Sequence, residues 1–314
     1  MTAFLHNKTY IPVITATLAI TVAAMLSFDW MSDIQYMLLI AGSVFIGIPH
    51  GAADNHIFFR SNIYPAKYRK LLFYLTYLFI AGIYGVFWIF FPAASLILFL
   101  FISVYHFGQS NLFYLSVNKN VFLRFFLSVL WGSYALGLPL LFHANEALPV
   151  IEKILGYKVM SISQVDTVLW PLVIALFMGN VVMLVVLKMS GYLRIRHFVK
   201  EMLNLLILGG LSYFAPLFIA FLTYWIFWHS LNSVIEISNF LFGRNRLHKL
   251  KLFYKKSWPL SVISVTGIAV VLLLSSHSNS LEGMLSLYFI LIAVITLPHV
   301  IMMDWLYTSR INAS

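Results

Sequence analysis

Long apolar runs broken by short polar stretches repeat along the whole chain. A membrane-crossing helix needs about 20 mostly apolar residues. Ten runs approach that length, near residues 10–27, 35–54, 71–91, 93–112, 121–142, 167–188, 202–214, 216–238, 258–275 and 283–306. The pattern predicts an all-α fold: a polytopic membrane helical bundle of about ten transmembrane helices, with residues 1–314 forming a single integral membrane domain. The stretch from Met202 to Phe240 is nearly continuous. Gly209, Gly210 and Pro216 mark a turn that divides it into two spans, with one kinked or re-entrant segment as the alternative. The first run follows Lys8 and reads as a retained span rather than a cleaved signal peptide.

Basic residues orient these spans. With the N-terminus in the cytoplasm, the inside segments hold eighteen of the twenty Lys and Arg, including Arg60, Lys67, Arg69 and Lys70, Lys119 and Arg124, and the group from Arg244 to Lys256. Only Lys153 and Lys158, in the one long outside loop, break the pattern, and the positive-inside rule weakens in longer loops. Both termini are therefore expected in the cytoplasm of a multi-pass protein of the cell (plasma or inner) membrane. Composition agrees, at 61% hydrophobic and 10% charged residues. The formal charge of +10 would suit nucleic acid, but it is spread in short clusters between apolar runs, and that partner is discarded. The lipid bilayer is the expected environment. The chain has no Cys, which excludes disulfides, iron–sulfur clusters and thiolate-ligated haem, so any metal must be held by His, carboxylate or amide groups. With 28 Phe and 17 Tyr, aromatic rings exceed what interfacial belts usually demand. They suit a large flat apolar ligand, or ordinary helix packing.

Four histidines interrupt the apolar runs: His50 in GIPHGAADNHIFF, His106 in VYHFGQSN, His229 in IFWHSLNSVIE and His299 in TLPHVIMMDW. Ionisable groups inside spans are rare, costly and usually functional. In the ten-span topology all four runs cross from outside to inside, and each histidine lies about 12–16 residues along, or about 18–24 Å at helical rise. Any one alone reads equally well as a hydrogen-bonded structural residue. Four at one depth favour a shared site, and neutral imidazole suits Fe, Zn or Cu. His50 and His299 each follow a proline, which removes a helix hydrogen bond and can widen the turn at the carbonyl four residues back.

Asp54, four residues after His50, would share its face on a continuing helix. It is a candidate ligand, or an acceptor that sets the tautomer of a liganding imidazole; the alternative is an N-cap or loop role beside Arg60. Gln109, Ser110, Asn111, Asn232 and Ser233 are polar neighbours able to orient ligands or hold water, or equally to serve as packing contacts. Glu236 and Asp304 fall near the cytoplasmic ends of their spans. His6, His143, His197, His248 and His277 fall in loops or tails and are left out; His56 is borderline. No H-E-x-x-H, P-loop or G-x-S-x-G motif occurs.

PHGAADN, then YHFGQSN, then a WHS segment and LPHVI, in that order along a polytopic chain, resemble the Brp/Blh family of bacterial and archaeal β-carotene 15,15′-dioxygenases. The resemblance runs from about the second span to the last. It implies an integral membrane enzyme that uses non-haem Fe(2+) and O₂ to split the central double bond of membrane-dissolved β-carotene into two retinals. It implies as metal ligands His50, His106 and His229, from the PHGA, HFG and H-x-x-x-H segments. The pattern fails four residues after His229, where Ser233 replaces the expected histidine. His299 is then the best candidate for the fourth ligand, with Asp54 next and Ser233 as a supporting or alternative group. In the first motif, often HGALDH, Asn55 stands at the last position with His56 just after it.

The function expected is therefore iron- and O₂-dependent cleavage of β-carotene, with retinal passed to a rhodopsin in the same cell. Two other readings compete. One is a transporter or proton-coupled permease whose histidines relay protons or bind substrate; the other is a catalytically silent scaffold that binds pigment.

Overall fold

The computed structural model describes residues 7–60, 66–112, 120–243, 247–275 and 280–312. His6, His277, Lys119 and Arg244, named above, lie outside them. Among the described residues all regular structure is helical. In chain order the helices are α1 (Asn7–Leu26), α2 (Phe28–Gly42), a π-helical turn (Ser43–Gly47), α3 (Ile48–Gly51), α4 (Asp54–Arg60), α5 (Ala66–Phe90), α6 (Pro92–Leu112), α7 (Val121–Phe142), α8 (Ala144–Leu155), α9 (Ile162–Met189) and α10 (Ile195–Phe214). They continue as α11 (Leu217–Thr223), a second π-helical segment (Tyr224–Ser230), α12 (Leu231–Phe242), α13 (Lys249–Leu274) and α14 (Leu281–Asn312).

Nine segments among the described residues are long and apolar enough to cross a membrane, which makes this a multi-pass membrane protein. Nine of the ten expected spans correspond to them. The tenth, expected at 202–214, is the second half of α10, which is as long as a span but carries Lys200, Glu201 and Asn204 buried in its first half and is not among the nine. The break at Pro216 is present: α10 ends at Phe214 and Pro216 precedes α11, so 202–240 is divided between α10 and the continuous span Leu217–Phe242 that holds α11, the π-helical segment and α12.

Local chemistry sets the helix ends. Ser161 and Gln164 form a reciprocal capping box, Gln164 N–H to Ser161 Oγ at 3.3 Å and Ser161 N–H to Gln164 Oε1 at 2.8 Å, which starts α9 earlier than hydropathy alone suggests. Asn120 accepts from the Leu123 N–H at 2.9 Å and begins α7. Gly243, at φ +83°, ends α12 in the left-handed conformation that glycine adopts without a Cβ penalty.

Backbone packing divides the chain into two units. The first comprises residues 1–42, 103–148 and 159–232. Within it α10 packs against α1, α7 and α9, and α11 against α2 and α7. Gln35 of α2, buried, accepts from the Phe218 N–H in the first turn of α11 (3.0 Å) and donates to Glu146 (2.8 Å), so a side chain satisfies a donor that a helix start leaves open. His143, assigned to a loop from sequence, is buried, with Nε2 3.0 Å from the Ser212 carbonyl. That burial pushes its pKa below the ordinary histidine value.

The second unit comprises residues 43–102, 149–158 and 233–314. Here α5 packs along α14, α4 sits against both, and α13 packs against α3 and α14. Tyr84, Trp88 and Ala293 form a small core between α5 and α14, and the Tyr84 hydroxyl donates to the Ser95 carbonyl at 2.8 Å.

Candidate metal centre

Each unit holds one pair of the four intramembrane histidines. In the second unit, His50 sits on α3, directly after the π-helical turn at Ser43–Gly47. Pro49 lacks an N–H, and the carbonyl four residues before it belongs to Phe45, inside that turn. The expected widening is thus present upstream of His50. It is absent around Pro298, where α14 runs on as α-helix. The His50 and His299 rings meet edge to face, centroids 4.8 Å apart at 86°. Gly51 lies against the same imidazole: a Cβ there would stand 3.5 Å from His299 Nδ1.

Asp54 does not continue the helix of His50. The chain turns at Ala52–Ala53, so Asp54 opens α4 and the shared face expected from the four-residue spacing does not form. Its partner is His299, 245 residues away: Nδ1 lies 3.0 Å from each carboxylate oxygen. The Tyr77 hydroxyl donates to Asp54 Oδ2 at 3.2 Å. With Nδ1 engaged by the carboxylate, Nε2 is the ring nitrogen that His299 can offer to a metal.

In the first unit, His106 of α6 and His229 of the second π-helical segment meet with centroids 4.7 Å apart at 75°. Phe107 packs on His229 at 4.6 Å. Ser110 Oγ is 2.8 Å from His229 Nδ1 and 3.0 Å from the Phe107 carbonyl. A hydroxyl has one proton, and the carbonyl can only accept it. Ser110 therefore accepts from His229 Nδ1–H, and His229 carries its lone pair on Nε2. The neighbouring Trp228 indole donates to Thr17 Oγ1 of α1 at 3.0 Å, which fixes the π-helical segment from the other side. Such segments recur at functional sites.

All four histidines are at most 5% exposed and Asp54 is 2% exposed. Buried imidazoles, two of them oriented by a carboxylate or a hydroxyl, fit a borderline divalent metal such as Fe, Zn or Cu.

The remaining sequence candidates divide. Ser233 is fully buried, and its hydroxyl has no hydrogen-bond partner among the described residues. Gln109 donates to the Tyr105 hydroxyl at 3.0 Å and Asn232 donates to the Trp228 carbonyl, both packing roles. His56 Nε2 lies 3.2 Å from the Lys256 carbonyl. Sequence reasoning missed Tyr77, which nothing in the chain singles out from the other three tyrosines of α5. The Ser110 arrangement yields a prediction: Ser110→Ala should weaken metal binding about tenfold with unchanged folding, read by metal titration of the stripped protein. An unchanged affinity would remove Ser110 from the site.

Fold and site together define a multi-pass membrane protein whose interior presents paired, oriented imidazoles. The family model for beta-carotene 15,15′-dioxygenase matches residues 41–307, an interval that contains all four histidines. A protein of an uncultured marine bacterium (66A03), named beta-carotene 15,15′-dioxygenase, is 30% identical over 279 residues, covering 86% of this chain and 94% of its own length. No solved structure matches the chain. The chain belongs to the beta-carotene 15,15′-dioxygenase family of carotenoid-cleaving oxygenases.

Proposed function

We propose that this protein cleaves the central 15,15′ double bond of β-carotene with O₂ to give two retinals, using one Fe(2+) held by His50, His106, His229 and His299. The observation that carries the reading is the set of four buried intramembrane histidines, drawn together in pairs within each unit and contained in the family match. Asp54 orients His299, and Ser233, at the position of the absent family histidine, is the alternative donor. Bound Fe(2+) supplies the binding and activation of O₂, chemistry that side chains alone lack.

The protein's share is placement. Ser110 and Asp54 hold two imidazoles with Nε2 presented. The buried, apolar surroundings keep water from the reacting double bond, and aromatic rings beside the histidines, such as Phe107 on His229, suit a polyene that arrives from the bilayer, so that position selects the bond cleaved. The protein sits in the cell membrane, with both termini cytoplasmic when α10 is counted as the tenth crossing. Retinal leaves for a retinal-binding rhodopsin. The permease and silent-scaffold readings give way to family membership, since no observation favours either.

Expression in a β-carotene-producing bacterium tests the whole reading. Cells should lose their orange colour and accumulate extractable retinal, and the purified protein should carry one Fe per chain. Both should be lost in His106→Ala. Cells that stay orange without retinal overturn the function, and two metals per chain, one for each pair, overturn the single site. A paired substitution separates the candidate fourth ligands. Ser233→Ala should keep its iron while His299→Ala should not; the reverse would make Ser233 the ligand.

A further inference from the structure

α4 has seven residues, too few to hold its own first turn rigidly. Its first two side chains instead dock on two hydroxyls one turn apart on α5. Tyr77 donates to Asp54 Oδ2 at 3.2 Å, and Asn55 Nδ2 donates to the Tyr74 hydroxyl at 3.1 Å. α5 is a continuous helix of 25 residues, so the two hydroxyls form a rigid rule against which the Asp54–Asn55 pair is set. The Tyr77 hydroxyl also lies 3.5 Å from the carbonyl of Ile295, one turn before His299 on α14. Tyr77 thus stands between the carboxylate and the turn that carries the imidazole. Its ring packs on Phe73, centroids 5.3 Å apart, and a phenylalanine would fill the same space.

We infer that Tyr77 is a positioning residue for the metal: its hydroxyl fixes the rotation of the Asp54 carboxylate, and through it the direction in which His299 presents Nε2. Both Asp54 oxygens lie 3.0 Å from His299 Nδ1, so the imidazole bond alone leaves the carboxylate rotation poorly determined. The bond from Tyr77 to Oδ2 removes that freedom. The inference rests on the metal reading proposed above. Tyr74 is the internal control, because its hydroxyl serves Asn55 on the same helices without touching the carboxylate.

The test uses full-length protein stripped with a chelator and titrated with Co(II), read by its visible ligand-field bands. Tyr77→Phe should bind Co(II) about tenfold more weakly, with shifted bands and a melting temperature lowered by no more than one lost donor accounts for, whereas Tyr74→Phe should stay within about twofold of the parent in affinity. In an Asp54→Asn background the Tyr77→Phe step should vanish, since the group it acts through is gone. Unchanged affinity in Tyr77→Phe overturns the inference, as do equal losses in the two tyrosine variants or a full Tyr77→Phe effect persisting beside Asp54→Asn. A parent protein that binds no Co(II) overturns the metal reading itself. A parent that binds, with Tyr77→Phe indistinguishable from it, overturns only the role of Tyr77.

Discussion

His299→Ala should lose the metal and also lose more stability than His229→Ala, although both remove one buried imidazole. The difference lies in what each ring leaves behind. Without His229, Ser110 still donates to the Phe107 carbonyl at 3.0 Å, so no charge is stranded, and the cost is a cavity of about 2 kcal/mol. Without His299, the Asp54 carboxylate, 2% exposed, keeps only the Tyr77 hydroxyl at 3.2 Å among the described residues. A buried charged group that loses its donor costs more than the about 1–3 kcal/mol of an unsatisfied neutral one, and this adds to the cavity. The comparison belongs on chelator-stripped proteins, since a metal bound only to the folded state would add its own stabilisation to the parent. Thermal unfolding in detergent should rank parent above His229→Ala above His299→Ala, and iron should fall to background in both variants. Adding Asp54→Asn to His299→Ala should recover part of the lost stability. If the two alanine variants melt together, the Asp54 carboxylate is not dependent on His299 in the way the geometry implies.

The spans were legible because lipid leaves hydropathy few alternatives. α7 begins and ends at the residues expected, and Pro216 separates α10 from α11 where a turn was read. Hydropathy averages over several turns, however, and says little about single hydrogen bonds. The α9 start follows from the Ser161–Gln164 box, a local motif that a hydropathy window smooths away. α8, between α7 and α9, is too short and too polar to register as a span. The four histidines could be singled out because each is an expensive residue in an apolar run. Their partners could not, because the bond between Asp54 and His299 joins residues 245 apart and the one between Ser110 and His229 joins residues 119 apart. The four-residue spacing from His50 to Asp54 pointed to a helical neighbour, and the turn at Ala52–Ala53 redirected the carboxylate to α14 instead.

Gly108, two residues after His106, should be among the least replaceable positions in the chain, for a reason the HFG motif conceals. A Cβ built on Gly108 would stand 1.8 Å from the Ser128 carbonyl oxygen and 2.5 Å from its carbon. Gly132 of α7 answers it: a Cβ there would stand 1.8 Å from the Val104 carbonyl oxygen of α6. Each glycine receives a carbonyl from the other helix, so α6 and α7 cross with their backbones in contact, as small residues permit in membranes. The obstructing atoms are backbone, and no rotamer change relieves them. Gly108→Ala must push the helices apart, at about 3 kcal/mol or more. The displacement also carries His106 away from His229, whose ring centroid lies 4.7 Å off, so metal binding should weaken even in molecules that fold. Gly82→Ala on α5 is the matched control, because a Cβ there meets nothing within 4 Å. It should leave stability equal or slightly raised, alanine being the better helix former by about 1 kcal/mol. Folded yield, thermal unfolding and Co(II) affinity of the two variants decide the matter, and a Gly108→Ala protein that matches Gly82→Ala in all three would mean that α6 and α7 do not meet at these glycines.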